Sequence, residues 1–170
     1  MKIIKIFEKW VSTSTWGPVD PEQEIHFVSK DKIYYGVHDI FISRGSKRIK
    51  VKAKFDTGAR SSSIDFNVAK KLGISDELIK TCKELEEVKV PKNISKEDQK
   101  KLEKKFQKDL KSKFPDITTV RTSKSSSGFS VRAYIRCKLE YNGQIIDTEV
   151  NLRDRSGLTC EMLVGLKDMV

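Results

Sequence analysis

Histidine is nearly missing from this chain: only His26 and His38 occur among 170 residues. With no HExxH pair and no His/Cys cluster, no metal site is predicted. Cysteine is as sparse, and Cys82, Cys137 and Cys160 are odd in number and widely separated. That argues against a disulfide framework and provides no CxxC metal spacing. No GxxxxGK[ST] loop is present to cradle a nucleotide phosphate, so no cofactor is predicted either. No apolar run approaches the roughly 18 residues of a membrane-crossing helix. The opening Met1-Lys2-Ile3-Ile4-Lys5-Ile6-Phe7-Glu8-Lys9 is apolar but broken by charge, unlike the continuous core of a signal peptide. These absences predict a cytoplasmic chain with no membrane partner.

What is present is ample for a folded domain. Hydrophobic residues make up 37% and charged residues 34%, enough for a core beneath a heavily solvated surface. The net charge of +10 could suit nucleic acid or an acidic substrate, but half of it is local. Residues 80–113 hold twelve lysines against seven acids. Here Ser95-Lys96-Glu97-Asp98 reads as an N-cap with acids in the first turn. Leu102, Phe106 and Leu110 then follow at i+4 spacing until Phe114-Pro115 stops the helix. A narrow apolar stripe under a broad lysine face is the pattern of a solvated helix lying on the side of a domain. No aromatic residues interleave the lysines for base stacking, which argues against a nucleic-acid partner.

The rest of the chain reads as short strands. Residues 1–10 predict a strand, 11–24 a loop, 25–28 a short strand, and Ile33 to Ile42 a buried strand. Arg44-Gly45-Ser46 turns that strand into Arg48–Asp56. Ile64-Asp65-Phe66 resumes strand character, Val68 to Gly73 is a short helix ending at a glycine cap, and Ser75 caps a helix through Leu85. Thr119 to Gly128 is polar and predicts a flexible loop or hairpin tip. Asn142-Gly143 is the strongest hairpin signal, joining Val131–Tyr141 to Gln144–Leu152. Arg153 to Gly157 makes a turn, and Leu158–Val164 runs into Gly165. Cys137 and Cys160 read as buried strand residues, since no histidine accompanies them. The fold class is mainly β, and a closed or partly closed barrel would protect such edges. The expected organisation is one domain over residues 1–170, with core segments 33–74 and 117–170, a helical insert at 75–115 and an N-terminal extension at 1–30.

One stretch carries candidate chemistry. In Lys50 to Asp56, Val51, Ala53 and Phe55 face one side of a strand and the lysines the other, delivering Asp56 to a Thr57-Gly58 turn. Gly58 lets backbone amides approach that carboxylate closely. An ordinary Asx turn closing a hairpin would look the same, because Asp and Gly are common turn residues.

Met162-Leu163-Val164-Gly165 near the C-terminus changes the balance. An apolar strand into Asp-Thr-Gly-Ala with a late apolar pair before Gly resembles the retropepsin-like aspartic protease fold. The resemblance implies that Ala59 belongs to the active-site loop and that Val164 and Gly165 brace it. Lys52 to Ser63, Val131 to Ile135, Asn151 to Leu158 and Glu161 to Gly165 are similar, in the same order, to a bacterial and phage family labelled "ATP-dependent zinc proteases". These matches lie within 48–66 and 129–169, about a third of the chain. The family implies peptide-bond hydrolysis associated with glutamate-adding ATP-grasp ligases, with trimming of glutamate tails as the activity. Neither ATP nor zinc is supported by the residues, and Ile64-Asp65 stands where the family often has a histidine.

A retropepsin site needs two aspartates, and this chain holds one Asp-Thr-Gly. The expectation is a homodimer in which two Asp56 carboxylates meet on a twofold axis, held by Thr57 and the Gly58 amide. Arg60, Arg132, Arg153 and Arg155 fit an acidic peptide or protein substrate, because guanidinium forks bind carboxylates in pairs; ordinary surface arginines would also read this way. The alternative is a non-catalytic retropepsin-like binding module in a phage or ligase-associated assembly. A nucleic-acid binder acting through the lysine helix is a third reading.

Overall fold

The computed structural model describes residues 36–125 and 128–169. The readings of residues 1–35, including two strands and a loop, lie outside the described residues. Among the described residues seven strands form one sheet in the order β1-β2-β7-β3-β6-β5-β4. They are β1 (Gly36–Arg44), β2 (Lys47–Asp56), β3 (Ser63–Asp65), β4 (Ile117–Ser125), β5 (Gly128–Tyr141), β6 (Gln144–Arg153) and β7 (Met162–Gly165). Pairing of β1 with β5, from Phe41 opposite Glu140 to Ser43 opposite Lys138, closes six of them into a barrel. Closure removes the exposed strand edges that invite aggregation.

Alternation in the sequence explains the core. Val51, Ala53 and Phe55 of β2 are buried while Lys50, Lys52 and Lys54 are exposed. Ile40, Ile42, Val131, Leu139, Val150 and Met162 join them inside. Phe55 meets Tyr141 edge to face at 5.0 Å, a favoured aromatic geometry. The β5–β6 hairpin turns at Asn142 (φ 52°) and Gly143 (φ 71°), the left-handed pair that a two-residue hairpin demands.

Among the described residues three α-helices lie outside the barrel: α1 (Phe66–Lys71), α2 (Asp76–Glu86) and α3 (Lys96–Lys113). The Ser75 and Ser95 hydroxyls accept from the amides of Leu78 and Asp98, as their capping positions predict. Phe66 opens α1 rather than extending β3, because Asp65 Oδ1 accepts the Asn67 amide and starts the helix there.

The polar stretch at 119–128 is corrected. Residues Ile117–Ser125 form strand β4, paired antiparallel with β5 as far as Ser125 opposite Gly128. Its composition reads as loop because only one neighbour is a strand. Along the other edge, α3 supplies side-chain acceptors: Glu103 takes the Thr122 amide at 2.6 Å, and Gln107 reaches the Val120 amide at 3.5 Å. Cys160 is likewise buried but precedes β7 rather than sitting in it, since the strand begins at Met162.

Candidate active site

Strand β2 ends at Asp56 in parallel pairing with β7, with Asp56 opposite Gly165. The chain then tightens. The Ala59 amide donates to the Asp56 carbonyl at 3.1 Å and the Gly58 amide to Asp56 Oδ1 at 2.9 Å. A Cβ at Gly58 would stand 3.1 Å from that same oxygen, so the glycine permits the close approach. Asp56 and Thr57 are half-buried and Gly58 is exposed, leaving the carboxylate at the surface of the barrel end.

The loop is pinned from below. The Leu166 amide donates to the Ala59 carbonyl at 2.8 Å, and the Gly165 amide to Ser62 Oγ at 3.0 Å. A Cβ on Gly165 would lie 2.5–2.8 Å from three backbone atoms of Ser61, so Gly165 and Ser61 are packed backbone to backbone. Val164 is buried beside it, opposite Phe55.

Residues with no signal in the sequence complete this support. The Ser62 carbonyl accepts from the backbone amide of Asn151 at 3.0 Å and from its Nδ2 at 2.7 Å. Asp168, 3% exposed, accepts from Ser62 Oγ and, at 2.6 Å, from Thr148 Oγ1. The Tyr141 hydroxyl donates to the Asp168 carbonyl. A buried carboxylate is stable only when its oxygens are so occupied. Ser61 Oγ and the Tyr134 hydroxyl share a bond at 3.3 Å.

The four arginines separate. Arg60 is exposed, and its carbonyl accepts the Lys167 amide. Arg132 and Arg153 line a cleft of about 460 Å³ between the β4–β5 hairpin and the segment after α2, with Glu86, Lys89, Lys92 and Phe129. Val90 forms a lone bridge to Phe129 across it. Arg132 Nε donates to Ser130 Oγ at 3.1 Å, whereas the enclosed Arg153 Nε has no partner among the described residues. Burial, and then the neighbouring Arg153, lower the pKa of Arg132. Burial raises that of Glu86, opposed by the Asp154 amide that donates to it and by Arg153 and Arg132.

Arg155 departs from the substrate role expected of it. It is 5% exposed, with Nε donating to the Cys160 carbonyl and Nη1 to Ser63 Oγ. Its amide donates to Asp65 Oδ2, so this side chain braces β3 instead of facing a ligand. Asp65 is committed to that amide and to its helix cap, and Asp154 to Ser156.

The two groups occupy opposite ends of β7. Asp56 is registered with Gly165, while Asp65, paired with Arg153, donates its amide to the Glu161 carbonyl, beyond the other end of the strand. Four residues separate those levels, about 13 Å along a strand. Among the described residues no three His, Cys, Asp or Glu side chains gather as a metal-binding group, so a zinc ion finds no fitting ligand set there. Burial pushes the Cys82 and Cys137 thiols up to about 12, which leaves them protonated and unreactive. No helix among the described residues is long and apolar enough to cross a membrane.

A search of curated proteins returns no match. Among solved structures, the chain is similar to the Legionella pneumophila protein Lpg0085, described as of unknown function (DUF785), at 16% identity. That alignment covers 79% of this chain and 84% of the other, with a TM-score of 0.36. The profile for a family described as "RimB-like: Retropepsin-like aspartic endopeptidase RimB" matches residues 36–170. An Asp-Thr-Gly-Ala turn at the end of one barrel strand, locked against a glycine on its parallel neighbour, lies within that match: the chain belongs to the RimB-like family of retropepsin-like aspartic endopeptidases.

Proposed function

We propose that this protein is an aspartic peptidase that trims acidic, glutamate-rich polypeptide tails through a dyad of two Asp56 carboxylates, one from each copy of a homodimer. The observation that carries the reading is the braced Asp56-Thr57-Gly58 turn, present once per chain with its carboxylate already oriented by the Gly58 amide. Two carboxylates about 3 Å apart share one proton, because like charges that close do not both ionise. The ionised carboxylate takes a proton from water as its oxygen attacks the peptide carbonyl carbon. The protonated carboxylate donates a hydrogen bond to the carbonyl oxygen. Collapse of the tetrahedral adduct breaks the C–N bond, and the amide nitrogen leaves protonated as an amine.

Half a dyad per chain makes activity depend on assembly. Specific activity against an oligoglutamate peptide is expected to fall as the protein is diluted through its dimer dissociation constant, in step with the loss of dimer by sedimentation. Hydrolysis at full specific activity by a monomer would overturn the dimeric mechanism.

Acidic selectivity rests on Arg132 and Arg153. Burial and the neighbouring Arg153 disfavour the charge of Arg132, and a carboxylate arriving between the two guanidiniums relieves that cost. Arg132→Ala is therefore expected to raise KM about tenfold for acidic peptides, the worth of one charge-assisted hydrogen bond. Steady-state kinetics on acidic and neutral peptides of equal length checks this. An equal rise on both would argue against the role.

A further inference from the structure

The insert ends in a feature that the catalytic reading leaves unused. Lys100, Lys104, Lys108 and Lys111 follow one another at steps of four, four and three along α3, and all are exposed. They form a single ridge about 16 Å long, from eleven residue-to-residue steps of about 1.5 Å each. The ridge faces away from Leu102, Phe106 and Leu110, which pack toward the core. None of the four has an ion-pair partner among the described residues; the helix's one such pair is Lys101 with Asp98 at 3.6 Å.

The ridge continues the cleft. Lys89 and Lys92 line the cleft wall, Ser95 caps the helix three residues further on, and Lys96 and Lys100 follow. The contacts Glu103 to Thr122 and Gln107 to Val120 run α3 antiparallel to β4. That direction puts the start of α3 beside the hairpin end that borders the cleft, with the ridge leading away from it.

We propose that this lysine ridge is a docking surface for the distal part of the acidic polypeptide whose proximal residues occupy the cleft. The inference rests on the acidic-tail reading above and adds a second, length-dependent point of attachment. Steps of four residues rise about 6 Å on a helix, and every second side chain of an extended chain recurs at about 6.6 Å. Carboxylates along one edge of an extended acidic tail therefore fall into step with the lysines. The face has no arginine fork, and α3's lone aromatic, Phe106, packs toward the core, so nothing here stacks a nucleobase.

Binding tests this without hydrolysis. In the Asp56→Asn background, fluorescence anisotropy would compare oligoglutamates of about sixteen residues, some 50 Å when extended, and of about four. Replacing Lys100, Lys104, Lys108 and Lys111 together by Gln is expected to weaken the long peptide about tenfold, as four exposed ion pairs would. The short peptide should bind as before, and the corresponding four-Arg variant should keep the long peptide's affinity. An unchanged affinity for the long peptide in the Gln variant, its fold verified by circular dichroism, would overturn the proposal. So would a single-stranded RNA of equal charge that binds the ridge more tightly than the long peptide, which would assign the face to nucleic acid. Because no turnover is read, absent hydrolysis in the wild-type protein would sink the peptidase reading alone. Hydrolysis with ridge-independent binding would sink the docking surface alone.

Discussion

Asp56→Asn is expected to lower kcat on a glutamate-rich peptide by at least about a thousandfold while leaving the melting temperature in place. The substitution is nearly isosteric. The Asn oxygen can still accept the Gly58 amide now at 2.9 Å from Asp56 Oδ1, so the turn has no reason to open. The remaining anchors of the loop, Leu166 to Ala59 and Gly165 to Ser62, do not involve this side chain. Proton transfer by a positioned acid or base contributes about a hundredfold to ten-thousandfold each. One substitution removes both partners of a symmetric dyad, and effects of groups that act together do not simply multiply. A thousandfold is therefore a lower bound. Single-turnover hydrolysis followed by mass spectrometry, beside a thermal melt, provides both numbers. Undiminished turnover would sink the aspartic mechanism, whereas a large drop in melting temperature would recast Asp56 as a structural residue.

Gly165→Ala should have the largest effect on stability, about 3 kcal/mol, and should cost activity as well. The backbone at Gly165 is extended, with φ near −88°, so alanine could adopt it without strain. The obstacle is space. A new Cβ would stand 2.5, 2.7 and 2.8 Å from the carbonyl carbon, nitrogen and Cα of Ser61. Those atoms cannot swing aside as a side chain would. Asn151 holds the Ser62 carbonyl, and Ser62 Oγ is tied to both Asp168 and the Gly165 amide. Overpacking commonly costs about 1–3 kcal/mol, and a backbone obstacle puts this case at the upper end. At a few degrees per kcal/mol for a domain of this size, the melting temperature should fall by about 10 °C. Any relief requires moving Ser61, and that shift is passed back through Ala59 to Asp56. Urea unfolding and kcat, measured on the same preparation, would test both halves. Wild-type values for each would show that the brace is dispensable.

Much of this architecture is legible locally. The alternation of Val51, Ala53 and Phe55 with three lysines identifies β2 and its inner face, because a half-buried strand has that period. Asn142-Gly143 marks the hairpin because both residues must take positive φ. Ser75 and Ser95 locate two helix starts through their orphan amides. The polar stretch from Thr119 to Gly128 misleads for an equally physical reason. Strand β4 borrows its order from β5 on one edge and from Glu103 and Gln107 on the other. Arg155 misleads in the opposite direction. An arginine in a turn reads as solvated, yet here the Cys160 carbonyl and Ser63 Oγ replace the water.

A mainly β domain and a carboxylate delivered to an Asp-Thr-Gly turn are thus readable from local sequence, and the family resemblance pairs the late glycine with that turn. The three-dimensional fold adds that the sheet closes through β1 and β5, and that Gly165 presses on Ser61. It also decided that Asp168 and Asn151 hold Ser62, and that Arg132 and Arg153 share a cleft while Arg155 turns inward. The division follows from range. Periodicity, caps and turns are written by neighbours a few residues apart. Ser62 and Asp168 are separated by 106 residues and become partners only when the barrel closes.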